Sequence, residues 1–135
     1  MKRISIVFLV SWLIAFSVKA EQPQDFLTLF ATQAKLDNAG FSGFDASRGE
    51  QFFKSRYGSD WSCSTCHTEN PTAMGQYTVT KKDIKPMAPS ANPKRFTDTA
   101  KVEKWFKRNC KDVVTREGTA QEKGDVLTYL MSLGR

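Results

Sequence analysis

One pentapeptide constrains this chain more than any other part of its sequence. Two cysteines enclose two small residues and a histidine follows directly, as Cys63-Ser64-Thr65-Cys66-His67. Thiols at this spacing can add to the two vinyl groups of one porphyrin, and the adjacent imidazole can then reach the iron. The pattern predicts one covalently bound haem c, with thioether bonds at Cys63 and Cys66 and with His67 as the proximal iron ligand.

Two other kinds of site use a similar cysteine pair, and the surrounding sequence fits them less well. A thioredoxin-type pair lies between a strand and a helix, whereas the segment before Cys63 is polar and helical and Pro71 follows closely. A zinc site needs a second pair of ligands, and the chain has one other cysteine and no other histidine. The single histidine also excludes a second imidazole on the iron and a second haem with its own histidine.

The N-terminus predicts export. Lys2 and Arg3 precede an apolar run from Ile4 to Val18, and small residues stand at Val18 and Ala20. The run has about 15 residues, and a retained membrane anchor would need roughly 20. We expect a signal peptide over 1–20 that is cleaved after Ala20, a single mono-haem domain over 21–135, and a periplasmic protein without a membrane span.

The length and charge of the chain limit the kinds of cofactor and partner that we expect. The chain has 135 residues, enough for one small domain that a bound cofactor would help to stabilise. Without residues 1–20 it carries 17 basic and 14 acidic residues, and two haem propionates would bring it close to neutral. The positive charge is concentrated between Lys81 and Lys111, which would attract an acidic partner or form a solvated helix face. No nucleic-acid-binding motif is present, so we expect no nucleic-acid partner.

Apolar periodicity predicts four helices and no strand of useful length. They cover 23–38, 45–53, Thr97 or Asp98 to about Cys110, and a last segment after Gly118-Thr119. The segment 68–93 contains four prolines and is predicted to be mostly loop. The predicted core residues of the first, third and last helices are Phe26, Leu29, Phe30, Ala34, Val102, Trp105, Phe106, Cys110, Val126, Leu127, Tyr129, Leu130 and Leu133.

The residues on either side of the haem motif resemble a known helix crossing. Gly49 and Phe53 before it, with Val126 and Tyr129 near the end, resemble the contact of the first and last helices in class I cytochromes c. In that contact a glycine lets two backbones approach and aromatic rings fix the angle. The resemblance implies an all-α class I cytochrome c fold around one haem, with 23–38 as an extra N-terminal helix. Phe52 is an alternative to Phe53.

The sixth iron ligand separates the functional hypotheses. Most class I cytochromes c use a methionine, whose thioether stabilises ferrous iron. Met131 lies in the last helix, and Met74 follows His67 by only seven residues, too few to cross the haem edge. Met87 lies in a proline-rich loop that suits a ligand, but it comes only 20 residues after His67. In the family the ligand usually lies between the penultimate and last helices, a place that Asn109 occupies here.

Three segments of the second half share the pattern of one family. They are Thr68-Glu69-Asn70-Pro71, Pro86-Met87-Ala88-Pro89-Ser90-Ala91-Asn92-Pro93 and Lys101-Val102-Glu103-Lys104-Trp105-Phe106-Lys107-Arg108-Asn109-Cys110-Lys111-Asp112. With the haem motif, they resemble the SHP family of high-spin class I cytochromes c, which bind oxygen. In that family an asparagine ligates oxidised iron and leaves on reduction, and Asn109 matches it. Family members often have a disulfide near this ligand, whereas Cys110 has no partner because Cys63 and Cys66 carry the haem.

The resemblance implies a function and a partner. Asn109 would bind ferric iron through a hard, neutral amide oxygen and leave on reduction, opening a site for O2, NO or CO. A di-haem cytochrome c would donate electrons, and oxygen reduction or nitric oxide oxidation at the haem stays open. There are two alternatives to this function. One is an electron carrier with Met87 as permanent ligand, and the other is a gas sensor. Single residues also have alternative roles. Asn109 would be a helix C-cap, and Cys110 would be a buried free thiol. Trp105 and Phe106 would belong either to the core or to the distal pocket.

Overall fold

The computed structural model describes residues 19–134, so the predicted signal peptide lies outside them except for Lys19 and Ala20. Within this range the chain forms five helices and one short hairpin. The elements are α1 (Pro23–Asp37), α2 (Ala46–Lys54), α3 (Cys63–His67), β1 (Gly75–Gln76), β2 (Asp83–Ile84), α4 (Thr99–Val114) and α5 (Ala120–Ser132). None of the described helices is long and apolar enough to cross a membrane.

Side-chain caps explain where the longer helices begin. Asp45 accepts a hydrogen bond from the Arg48 N–H at 2.8 Å at the start of α2, and Asp98 caps α4 in the same way. Thr119 and Glu122 form a reciprocal capping box at the start of α5. Because such caps satisfy N–H groups that have no partner within the helix, the sequence encodes these starts locally. The predicted starts of these helices are confirmed to within a residue.

The end of α4 differs from the prediction. The helix continues past Cys110 to Val114, which is buried, and Thr115 ends it in the left-handed conformation with φ of 63°. The predicted end near Cys110 is therefore wrong. Two further apolar residues, Val113 and Val114, prolong the buried stripe of the helix by one turn.

Helices α2 and α5 cross at the predicted contact. A Cβ atom on Gly49 would lie 1.9 Å from the Asp125 carbonyl oxygen, so the two backbones touch where a side chain is absent. The Phe53 and Tyr129 rings pack beside this point with centroids 5.8 Å apart. Phe52 instead stacks on Tyr57, which decides between the two phenylalanines. The predicted crossing is confirmed.

For two residues the predicted burial in the core is wrong. Leu29 and Trp105 are each 47% exposed. The buried stripe of α1 runs through Phe26, Phe30 and Ala34 at intervals of four residues, and Leu29 lies beside it. The other predicted core residues are buried or pack partly buried against the core.

The segment between the haem motif and α4 is mainly loop, as predicted, but it contains the hairpin. The two-residue strands β1 and β2 are antiparallel, with Gly75 opposite Ile84. They are too short to change the all-α class. Their effect is local, because β1 packs directly against α3.

Candidate haem-binding site

The haem motif forms the single-turn helix α3. Ser62 caps this turn: its hydroxyl accepts from the Thr65 N–H at 3.2 Å, and its own N–H donates to the Thr65 hydroxyl at 2.9 Å. Residues three and four apart share one side of a helix. The turn therefore brings Cys63, Cys66 and His67 together on one side, and all three are partly buried. Two thiols and an imidazole in this order fit the edge and the iron of one porphyrin.

Gly75 forms a close contact with this turn that the sequence analysis missed. A Cβ atom at position 75 would lie 2.2 Å from the Cys66 carbonyl oxygen and 3.1 Å from the His67 Cα atom. Strand β1 therefore lies against the backbone of the motif, with no room for a side chain. The only signal in the sequence is a glycine in the polar loop shortly after His67, which by itself reads as an ordinary turn residue.

The surroundings of His67 keep its imidazole neutral. The ring packs against Phe53, with centroids 6.3 Å apart. Burial, together with a smaller effect of the positive charge of Arg95, lowers the pKa of His67 to about 4. A neutral imidazole keeps a nitrogen lone pair free at physiological pH, as an iron ligand requires.

The Cys63 sulfur lies in an apolar environment. Burial raises the pKa of the free thiol to about 12, with a smaller effect from the neighbouring Cys110. A thiolate metal site needs the opposite shift, because positive groups must stabilise the anion. A thioether carries no charge, so these surroundings fit a sulfur bonded to carbon.

The loop that contains Met87 is fixed beside the segment that follows His67. The Pro71 carbonyl, four residues after His67, accepts hydrogen bonds from the Met87 and Ala88 N–H groups at 2.9 and 3.0 Å. The Arg95 guanidinium donates to the Pro86 carbonyl at 3.0 Å and to the preceding carbonyl at 2.7 Å. These bonds tie the Met87 backbone to the chain segment that carries His67.

Asn109 lies within α4 and not at its end. The helix continues for five residues beyond it, so the alternative that Asn109 is a helix C-cap is wrong. The residue is partly buried, and its carboxamide makes no hydrogen bond within residues 19–134. The Ser59 hydroxyl donates to the Val113 carbonyl at 3.0 Å and so ties this half of α4 to the loop that leads into the haem motif.

Comparison with known proteins now identifies the family. Residues 39–130 match the family described as a domain of unknown function, DUF1924. The cytochrome c-type protein SHP of Cereibacter sphaeroides is 49% identical over 90 residues, which are 64% of this chain and 69% of that protein. This chain belongs to the DUF1924 family and is an SHP-type cytochrome c. Cytochrome c'' of Methylophilus methylotrophus is 41% identical over 80 residues, which are 59% of this chain and 56% of that protein.

Solved structures agree with the fold of this SHP-type cytochrome. Oxidised SHP, described as an oxygen-binding cytochrome c, is 40% identical with a TM-score of 0.72, over 82% of this chain and 96% of that one. Oxidised cytochrome c'' from Methylophilus methylotrophus is 31% identical with a TM-score of 0.77, over 84% and 95%. The predicted family and the predicted fold are confirmed. As an SHP-type cytochrome c, the protein carries covalently bound haem c with its iron.

Cys110 of this SHP-type cytochrome is a buried free thiol, as predicted. A Cβ atom on Gly118 would lie 2.8 Å from the Cys110 sulfur, so the loop before α5 closes directly over the thiol. Burial raises the pKa of Cys110 and keeps it protonated. Cys110, next to Asn109 in the chain, is therefore a small, neutral, buried side chain and not a thiolate that could compete for the iron.

Proposed function

We propose that this SHP-type cytochrome is exported to the periplasm, accepts electrons there and, once reduced, releases Asn109 so that a diatomic gas can bind. The gases that fit such a site are O2, NO and CO. The observation that carries the proposal is the place of Asn109 inside α4: the residue is partly buried, and its carboxamide reaches solvent and makes no hydrogen bond within the described chain. That SHP is described as oxygen-binding supports the same reading.

The haem attachment belongs to the same proposal. Cys63 and Cys66 form the thioether bonds, and the neutral imidazole of His67 is the proximal ligand. When bound, the haem would supply a one-electron redox change at its iron and a place on that iron for a small ligand. The support is the shared side of α3, on which the three side chains lie together.

Asn109 would act as a ligand that responds to the oxidation state. Its amide oxygen is hard and neutral, so it binds ferric iron better than ferrous iron. No hydrogen bond to the described protein competes for this oxygen, while Ser59 anchors α4 close by. Asn109 can therefore bind without breaking a protein contact and leave without unfolding its helix.

Met87 is the competing ligand, and its surroundings favour it less. Its backbone is fixed by the Pro71 carbonyl, four residues after His67. A sixth ligand must reach the face of the haem opposite the histidine. A loop tied to the histidine segment is a poor starting point for that, so Met87 as a permanent ligand is the second candidate.

Absorption spectra of the reduced protein with and without carbon monoxide test the proposal. We expect a high-spin reduced spectrum that carbon monoxide changes. Asn109→Ala should alter the ferric spectrum, because the amide ligand is lost, whereas the control Met87→Leu should leave both spectra unchanged. A low-spin reduced spectrum that ignores carbon monoxide, together with a response to Met87→Leu, would establish the electron-carrier alternative instead.

The electron donor in this proposal is an acidic protein, a di-haem cytochrome c by family resemblance, that docks on the basic face of α4. This face consists of five exposed residues, Lys101, Lys104, Lys107, Arg108 and Lys111. Lys101 and Lys107 pair with Asp98 and Glu117 respectively, and the other three form no ion pair within the described chain. The Arg108 guanidinium lies 5.7 Å from the ring centroid of the exposed Trp105, one helical turn before Asn109. Trp105 and Arg108 extend this face to the helical turn that carries Asn109.

A further inference from the structure

The N-terminal helix α1 contacts the helix that carries Asn109 through an aromatic pair. The Phe30 ring meets the Phe106 ring edge to face, with centroids 5.8 Å apart and planes at 90°. Phe30 is 2% exposed, and Phe106 lies three residues before Asn109. A shift of α1 at this point would therefore displace α4 within one helical turn of the proposed ligand.

A second contact joins the chain just before α1 to the first residue of α4. The Glu21 carboxylate accepts hydrogen bonds from the Thr99 N–H at 2.6 Å and from the Thr99 hydroxyl at 2.5 Å. A negative charge at this end of a helix also interacts favourably with the helix dipole. Glu21 directly follows the proposed cleavage point at Ala20, so processing would leave this carboxylate at the start of the mature chain.

The α4 backbone lies farther from the other helices than those of α1 and α2 do. Helices α1 and α2 pack closely along α5, whereas α4 joins the common core through side chains such as Val102 and Cys110. The Lys123 ammonium on α5 lies 5.8 Å from the Phe30 ring centroid and forms an ion pair with Glu103 on α4 at 3.2 Å. Phe30 and Lys123 are therefore among the side chains that determine where the Asn109 turn of α4 lies.

We propose that α1 positions Asn109, with Glu21 and Phe30 holding α4 so that the carboxamide stays within reach of ferric iron. The inference rests on the proposed ligand role of Asn109. Glu21 and Phe30 are positioning residues, because they act through α4 and touch neither the haem nor the gas. Loosening α4 weakens the ferric ligand bond and leaves the reduced state, where Asn109 is already released, unaffected.

The experiment compares two substitutions at the α4 contacts with one elsewhere on α1, all in the holoprotein. Glu21→Ala and Phe30→Leu weaken the contacts to α4. Ala34→Gly is the control, because Ala34 is a buried residue of the same helix and glycine destabilises α1 directly. Mass spectrometry verifies that each mature chain begins at residue 21.

The readouts are the ferric absorption spectrum, scaled between the unsubstituted protein and Asn109→Ala, the reduction potential, carbon monoxide affinity of the reduced protein, and thermal unfolding. We expect Glu21→Ala and Phe30→Leu each to raise the ratio of amide-free to amide-bound ferric protein by roughly fivefold, the size of one net hydrogen bond for Glu21 and of one aromatic pair for Phe30. The potential should shift upwards, since ligation stabilises the oxidised state, and carbon monoxide affinity should stay unchanged. Ala34→Gly should lower the unfolding temperature without moving this ratio or the potential.

Two results would overturn the inference. One is a control that moves the ratio of amide-free to amide-bound ferric protein as far as the α4-contact variants do for the same loss of stability. The other is an unchanged ratio in both contact variants while Asn109→Ala alters the ferric spectrum, which refutes the positioning role and keeps the proposed function. A silent Asn109→Ala would refute the proposed function itself. In an Asn109→Ala background the contact variants should shift the potential no further.

Discussion

Gly75 of the hairpin lies directly against the backbone of the haem-binding turn, where there is no room for a side chain. Because a Cβ atom would lie 2.2 Å from the Cys66 carbonyl oxygen, Gly75→Ala must push backbone against backbone. We expect a loss of about 2 kcal/mol in the free energy of unfolding, typical of overpacking, and a lower haem content in the purified protein. Denaturant unfolding and the haem absorbance per chain measure these two effects.

Gly40→Ala is the matched control for this change. The nearest atom to a Cβ at position 40 is the Asn38 side-chain oxygen at 3.3 Å, which can move. We expect an effect on stability within about 0.5 kcal/mol, as at an ordinary surface position. Equal losses in the two variants would mean that close approach at Gly75 has no special role.

The candidate site residues that the sequence predicts are those whose chemistry depends directly on their spacing along the chain. Cys63, Cys66 and His67 lie on one helical turn, so their relation is local. Gly75 could not be found in this way, because its closeness to Cys66 depends on how the loop returns to the motif. The choice between Phe52 and Phe53 has the same cause: both are buried, and only the tertiary partner distinguishes them.

At the scale of elements, the helix starts were predictable and one helix end was not. Starts are marked by capping side chains within three residues, as at Asp45 and Thr119. The end of α4 depends on whether Val114 finds a buried place, which the local sequence does not determine. The difference bears on the proposed function, because a longer α4 places Asn109 inside the helix, where its side chain is free of a capping role.

The capping box of α5 gives an element-scale prediction. Thr119→Ala removes the hydroxyl that accepts the Glu122 N–H at 3.1 Å, at the start of the helix against which α1 and α2 pack. We expect a loss of about 1 kcal/mol in the free energy of unfolding, measured from the denaturant midpoint. Thr32→Ala is the control, because Thr32 is exposed in the middle of α1. A midpoint that moves no more for Thr119→Ala than for Thr32→Ala would contradict the assigned cap.

For the whole molecule, the distribution of charge matters more than its total. The chain without residues 1–20 is close to charge balance once two haem propionates are included, yet one side of α4 carries five exposed basic residues. A local patch of this kind steers an acidic partner while the net charge stays small. The sequence showed where the positive charge is concentrated, and the helix geometry gathers five of these residues on one side of α4, next to Trp105.

Electron-transfer kinetics test this patch as a docking surface. The rate constant for reduction by an acidic di-haem cytochrome c should fall steeply with salt, because the Debye length shortens from about 10 Å at 0.1 M to about 3 Å at 1 M. Lys104→Glu should lower the rate at low salt several-fold and flatten the salt dependence. Lys35→Glu makes the same charge change on α1, at another exposed position, and should have a much smaller effect. If both variants slow reduction equally, net charge and not the α4 face governs the encounter, and the proposed docking surface is wrong.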